Sequence, residues 1–289
     1  MSGARWAYLG PPGTNCEAAL LRFDGAGPDT EGAPFRTERE AILALEHGDV
    51  DRAVVPIENA LEGAVTGTLD ALALDAPGVR ILAELVLPIE HCLVAAPGTQ
   101  LSDVRCVVSH PQALAQCRRF LAQELPGATE EAATSTAQAA RLVLDTPGRA
   151  AIANARAAEL YGAEILRRGI EDEHGNVTRF VLLGLHGAQA TQATAAGAGA
   201  HRTTVVFWGS GDEAPGWLVR CLGEFAFRGV NLSKIESRPR KVGLGHYLFI
   251  VDCAGRADDE PVADALRGLA AHCQEVRVLG SYPAAAAGR

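Results

Sequence analysis

Five short stretches of this chain carry side chains able to move a proton or hold an anion. Asn176-Val177-Thr178-Arg179-Phe180 leads into Val181-Leu182-Leu183-Gly184, which reads as a buried strand because Val, Phe and Leu suit a pleated surface. A hydroxyl and a guanidinium therefore stand where a loop enters a strand. Glu58 and Asn59 follow the apolar run 52–57, whose Pro56 places them at a strand end or in a loop. Ligands of α/β sheets bind at such ends, and a Glu58 of raised pKa would be a general acid. Ser109-His110-Pro111-Gln112 opens a helix, with Pro111 in the first turn, where its missing N–H costs nothing. Gln112 and Gln116 are four apart and share one face of that helix, while His110 reads either as a cap or as an acid–base group. Thr14 and the pair Ser135-Thr136 stand where two further strands hand over to helices, and helix starts present backbone N–H groups to anions.

The elements that must position these groups alternate between strand and helix. Residues 6–9 form a strand that breaks at Gly10-Pro11-Pro12-Gly13, and Thr14-Asn15-Cys16-Glu17 has the spacing of a capping box opening a helix to 23. Helices are expected over 39–47, 66–74, 113–125, 136–144 and 155–161, with strands over 104–108 and 128–133. The run 79–95 holds two apolar stretches parted by Pro88. Residues 185–200 are Ala, Gly, Gln and Thr with almost no large apolar side chain, which reads as a flexible linker. Beyond it the pattern is a compact βαββαβ, with strands over 203–208, 230–237, 245–252 and 275–281 and helices over 215–228 and 260–272.

Composition narrows the class of function. With 289 residues, 48% hydrophobic and 21% charged, the chain has the make-up of a soluble globular protein of two or three domains. A net charge of −9 argues against a nucleic-acid partner. An anionic ligand would then need local positive potential, from Arg179 or from helix starts. The seven cysteines include no Cys-x-x-Cys pair and read as core residues of a reducing compartment. No metal-ligand cluster is expected, and no apolar run approaches the ~20 residues that span a bilayer, so a cytoplasmic location is expected.

Taken in order, the segments resemble the prephenate dehydratase family. Gly10-Pro11-Pro12-Gly13-Thr14 is similar to its first motif, although Asn15 and Cys16 stand where the family usually has Phe and Ser or Thr. Val55-Pro56-Ile57-Glu58-Asn59 matches the next, with Ala60 replacing a Ser. Ser109-His110-Pro111-Gln112-Ala113-Leu114-Ala115-Gln116-Cys117, Ser135-Thr136-Ala137 and Asn176-Val177-Thr178-Arg179-Phe180 follow. Asn231 and Glu236-Ser237-Arg238-Pro239 resemble a segment of the amino-acid-binding ACT domain attached to these enzymes; the companion motif is altered to Gly216-Trp217-Leu218-Val219.

The resemblance implies a bilobed, periplasmic-binding-protein-like α/β catalytic domain over 1–184. Residues 1–78 and 177–184 would form one lobe and 79–176 the other; a linker over 185–201 and a ferredoxin-like ACT domain over 202–289 would follow. It implies loss of CO2 and the ring hydroxyl from prephenate to give phenylpyruvate, with no cofactor and no metal. Catalytic roles would fall to Thr178, Glu58, Asn59, Gln116 and Ser109, with Thr178 at the leaving hydroxyl. Substrate contacts would come from Thr14, Asn59, His110, Gln112, Ser135, Thr136, Arg179 and Phe180. Phenylalanine or another aromatic amino acid would bind near Gly216, Leu218, Asn231, Glu236, Ser237 and Arg238, between ACT domains paired in a homodimer or homotetramer. Deleting 202–289 would leave basal turnover. Arogenate as substrate, and a ligand sensor without chemistry on the same scaffold, are the alternatives.

Overall fold

In the computed structural model, residues 3–27, 29–188, 196–209 and 214–285 are described, the side chains of 196–199 excepted. The chain begins with β1 (Arg5–Leu9), α1 (Asn15–Leu20), β2 (Glu31–Phe35), α2 (Glu38–Glu46), β3 (Arg52–Asn59), β4 (Gly63–Ala64), α3 (Thr66–Asp70) and β5 (Val79–Pro88). A π-helical turn, Ala71–Asp75, continues α3. Then come β6 (Cys92–Ala95), β7 (Cys106–Ser109), α4 (Pro111–Gln116), α5 (Arg118–Glu124), β8 (Thr129–Ala132), α6 (Thr136–Leu142), β9 (Arg149–Ala153), α7 (Ala155–Tyr161) and β10 (Glu164–Arg167). The last segment holds β11 (Val177–Leu185), β12 (Ala196–Trp208), α8 (Trp217–Ala226), β13 (Leu232–Pro239), β14 (Tyr247–Ala254), α9 (Glu260–His272) and β15 (Glu275–Ala285).

Three sheets organise these elements. The first runs β2-β1-β3-β11-β5, with β4 paired to β3; β1 is parallel to its neighbours and β11 antiparallel to β3 and β5. The second runs β10-β6-β9-β7-β8 and is likewise mixed. The third is antiparallel, β13-β14-β12-β15, the strand order of a βαββαβ unit. The apolar strands 53–55 and 181–183 are covered on both faces, which is why they read as continuous hydrophobic runs.

The first two sheets form the two lobes, but the division differs from the sequence expectation. Val79–Pro88 pairs with β11 along its whole length, so it belongs to the first sheet and the chain crosses between lobes only after Pro88. The expected linker also shortens: residues 189–195 lie outside the described residues, while 196–201 already belong to β12, which pairs with β15. The helix expected over 113–125 is broken at Cys117, whose ψ of 19° ends α4 and starts α5.

The third sheet turns one face to α8 and α9, around Phe207, Phe225 and Leu269. Its other face packs on the first lobe in a single core that joins Val206, Leu248, Ile250, Leu279 and Tyr282 to Leu45, Leu72 and Ile81. The packing is close enough that a Cβ at Gly280 would lie 2.4 Å from the Ile81 carbonyl oxygen. No helix among the described residues is long and apolar enough to cross a membrane.

Candidate active site

Between the first two sheets lies a cavity of about 350 Å³, near the lower end of the volumes that take small metabolites. The first lobe contributes Thr14, Asn15 and Cys16 at the start of α1, Pro56 and Asn59 of β3, and Thr178 and Phe180 of β11 with Asn176 just before it. The second contributes Gln112 and Gln116 of α4 with its cap His110, and Thr134, Ser135 and Thr136 at the start of α6, and the crossover between lobes adds Ile89 and His91. No lysine or arginine lines it among the described residues, and Glu62 is the lone carboxylate.

A β-bulge makes the central pair possible. Thr178 stands opposite Asn59 and Arg179 opposite Glu58, but Phe180 stands opposite Pro56, leaving Ile57 as the extra residue. That insertion lets Pro56 and Asn59, three apart, face the same side as Thr178 and Phe180. Asn59 is then oriented by its own loop, since its Oδ1 accepts the backbone N–H groups of Leu61 (2.9 Å) and Glu62 (3.0 Å). Both acceptances require the amide oxygen, so Nδ2 must be the group 2.8 Å from Asn176 Oδ1 and 2.8 Å from Thr178 Oγ1. With its oxygen accepting from Asn59, the Thr178 hydroxyl has its proton left to donate into the cavity.

The lobes meet across the cavity through side chains. Gln112 Nε2 of α4 donates to Glu62 Oε1 at 2.8 Å, and Asn154 Nδ2 donates to Asn15 Oδ1 at 2.7 Å. His91 Nε2 lies 2.8 Å from Gln116 Oε1, which ties the crossover to α4. Three caps aim helix starts at the same space. Thr14 Oγ1 accepts from Glu17 N, the His110 ring from Gln112 N, and Ser135 Oγ from Gln138 N. Cys16, at the position where a hydroxyl residue is usual in the resembling family, is buried, and burial pushes its thiol pKa up so that it stays protonated.

Three expected site residues do not reach the cavity. Arg179 and Glu58 point to the opposite face of the ribbon, as successive strand residues must, and there they pair with each other at 3.1 Å. Ser109 is fully buried, and its hydroxyl donates to Ile152 O at 2.7 Å, tying β7 to β9. Among the residues the structure brings in to which the sequence reading gave no role are His91, Asn176 and Glu62. Asn176 was reachable by strand alternation, two residues before Thr178; the other two arrive through loops with no spacing signal.

A second cavity of about 290 Å³ lies in the C-terminal unit, lined by Gly216, Trp217 and Leu218 with Tyr247 and Phe249. Trp217 is itself buried, with Nε1 donating to His272 O at 2.7 Å. The expected partner turn is divided between faces. Burial alternates along β13, and Glu236 and Arg238 turn away from this cavity toward the first lobe, where Arg238 Nε meets Asp70 Oδ1 at 2.9 Å. Ser237, opposite Phe249, stays on the cavity's side of the sheet without lining it, and Asn231 is exposed in the preceding turn.

Two α/β lobes enclosing a polar cavity, with a hydroxyl held as a donor and no metal-ligand group of three among the described residues, define a cleft-type α/β protein. Residues 6–188 match the family model described as prephenate dehydratase. A prephenate dehydratase of Mycobacterium leprae is 45% identical over 98% of this chain and 88% of its own length. The chain belongs to the prephenate dehydratase family, a family of hydro-lyases. Among solved structures, prephenate dehydratase from Arthrobacter aurescens in complex with L-Phe is 42% identical with a TM-score of 0.85, covering 97% of this chain and 90% of that one. GqqA, described as a novel type of quorum-quenching acylase, is 31% identical with a TM-score of 0.82, over 97% of this chain and 98% of that one.

Proposed function

We propose that this chain converts prephenate to phenylpyruvate, CO2 and water, in the route to phenylalanine. One observation carries the reading: the Thr178 hydroxyl, fixed as a donor by Asn59, faces a cavity that no lysine or arginine lines among the described residues. The ring carboxylate must lose its charge as CO2 leaves, and a cation clamped on it would stabilise the ground state more than the transition state. Thr178 hydrogen-bonds the departing ring hydroxyl, and Asn59, by donating to Thr178 Oγ1, keeps that proton pointed at it. Aromatisation supplies the driving force. The pyruvyl carboxylate is held by the polar groups at the helix starts and by Gln112 and Gln116. We take His110, which lines the same cavity while Glu58 faces away from it, as the source of that proton.

The acylase likeness counts against the dehydratase reading less than it first suggests. Acyl transfer needs a nucleophile activated by an adjacent base, and among the described residues the Thr178 hydroxyl is paired with an amide donor, Asn59, and with no base.

The C-terminal unit we read as an ACT domain that binds an aromatic amino acid, phenylalanine first, and assembles the chain into a dimer or tetramer. Support comes from the βαββαβ strand order, from the cavity beside Trp217, and from the phenylalanine bound to the Arthrobacter aurescens relative. The boundary between this unit and the catalytic domain, within the expected linker 185–201, belongs to this reading. The deciding experiment incubates the purified chain with prephenate or arogenate and follows phenylpyruvate and phenylalanine. Phenylpyruvate from prephenate is the expected product; an inert protein that still binds prephenate would be a sensor. Calorimetry with phenylalanine tests the effector, and no heat with phenylalanine, tyrosine or tryptophan would leave only assembly to the C-terminal unit.

A further inference from the structure

The buried face opposite the cavity carries a charge cluster that the chemistry above does not use. Arg179, 7% exposed, reaches Glu84 Oε2 at 3.1 Å, Glu58 Oε2 at 3.1 Å and Asp252 Oδ2 at 2.7 Å. Glu84 and Asp252 are each 1% exposed. Arg202 joins both, at 3.2 Å from Glu84 and 3.5 Å from Asp252, and Lys234 Nζ lies 3.6 Å from Glu58. Thr204 Oγ1 donates to Asp252 Oδ1 at 2.7 Å and also meets the Tyr282 hydroxyl.

The cluster balances only when both parts of the chain are present. The first lobe supplies one cation, Arg179, and two carboxylates, Glu58 and Glu84. The C-terminal unit supplies two cations, Arg202 and Lys234, and one carboxylate, Asp252. Each side carries a net charge that would be expensive to bury at this joint without the opposite charges of the other. Burial opposes the charge of Arg179, yet Asp252 and its neighbours outweigh burial and hold the guanidinium more firmly protonated than usual.

Arg179 follows Thr178 directly, and Glu58 precedes Asn59. The bulge interrupts the ladder between β3 and β11 immediately after these two pairs, between Arg179 and Phe180, while the ladder from β11 to β5 runs on unbroken there. Side-chain anchors therefore help to set how β3 sits against β11. We propose that Arg179 is a positioning residue, and that Asp252 of the C-terminal unit, through Arg179, holds the Thr178 hydroxyl in register with the leaving group. The inference rests on the dehydratase reading. It gives the C-terminal unit a direct hand in turnover, beyond any effector it binds.

The test uses the full-length chain and five variants: Asp252→Asn, Asp252→Glu, Thr204→Val, Thr178→Ala, and Asp252→Asn combined with Thr178→Ala. Asp252→Asn should lower kcat roughly tenfold or more, since small misplacements at a reacting group cost up to about a hundredfold, with KM within about twofold. Asp252→Glu should recover part of the loss. In the Thr178→Ala background Asp252→Asn should cost nothing further, because the group it positions is gone. A merely structural role would lower residual turnover in both backgrounds alike, and that result overturns the proposal. Thr204→Val removes only the hydroxyl that orients Asp252 and decides the matter if Asp252→Asn does not fold. Its kcat should fall severalfold, and a folded Thr204→Val with wild-type kcat overturns the proposal. A wild-type chain inert toward prephenate overturns the parent reading and this one together, whereas an active wild type with unaffected variants overturns this one alone.

Discussion

The two faces of the β3–β11 ribbon are built from neighbouring residues and do opposite things. On the cavity face, Asn59 and Thr178 are neutral and joined by a single 2.8 Å hydrogen bond. On the docking face, Glu58 and Arg179 are charged and lie among four further charged groups, Glu84, Asp252, Arg202 and Lys234. The cavity face can stay neutral because the substrate brings its own charge, and fixed cations there would hold the ground state. The docking face can bury charge only because every charge has a counter-charge close by. A one-residue step along a strand separates a reacting surface from a structural joint.

The joint can be broken outright. Removing residues 202–289 takes Val206, Leu248, Ile250, Leu279 and Tyr282 out of a core shared with the first lobe and leaves Glu84 and Arg179 without Arg202 and Asp252. Retention of basal turnover after this deletion, the expectation from the sequence, is therefore revised. The truncated chain should be insoluble or melt without a cooperative transition, as circular dichroism would report. A truncated chain with a native-like melt and full turnover would mean that the two faces are independent.

On the cavity face the largest single effect should come from Thr178→Ala. We expect kcat to fall on the order of 10²–10⁴, the range for a positioned proton donor. KM and the melting temperature should barely move, because among the described residues the hydroxyl makes one bond to protein. Steady-state kinetics beside a thermal melt checks both halves.

Asn59→Ala and Gln116→Ala sharpen the same face by a smaller amount. Each should cost ~1–3 kcal/mol in kcat/KM, the scale of an unpaired buried polar contact. Asn59→Ala should act mainly on kcat, since it frees the Thr178 hydroxyl to rotate, and Gln116→Ala mainly on KM. Normal kinetics in both would place the substrate elsewhere.

The smallest effect concerns the rim of the docking face, where Asp70 of the first lobe meets Arg238 and Lys241. Burial pushes the Asp70 carboxyl up, but hydrogen bonds and charge from Arg238 and Lys241 outweigh it and leave its pKa below the ordinary value. A depressed carboxyl gives stability that is fully present above its unfolded pKa, about 3.9, and lost as pH falls through the folded value. Asp70→Asn should therefore cost on the order of 1 kcal/mol near neutrality. In urea melts at stepped pH, the gap to wild type should close below about pH 4. A gap that persists in strong acid would assign the loss to packing rather than charge.

The sequence by itself determined the local elements and most of the cavity wall. The helix at Glu260–His272 follows from its own apolar period, and the caps at Thr14 and Ser135 from the side chains at helix starts. Thr178, Asn59, Gln112, Ser135 and Thr136 were legible because each lies at a strand end or a helix start, where polar groups meet a cleft, and Gln116 because it shares a helix face with Gln112. Tertiary structure alone decided the fate of Arg179, Glu58 and Arg238. A strand's alternation says that neighbours part, but which face meets substrate and which meets another part of the chain depends on what packs there. The same holds for Ser109, whose hydroxyl satisfies a carbonyl on a strand 43 residues away, and for Val79–Pro88. An apolar run records that it is buried and says nothing of which sheet completes its hydrogen bonds. That choice was made by β11, returning from the second lobe to pair with both β3 and β5.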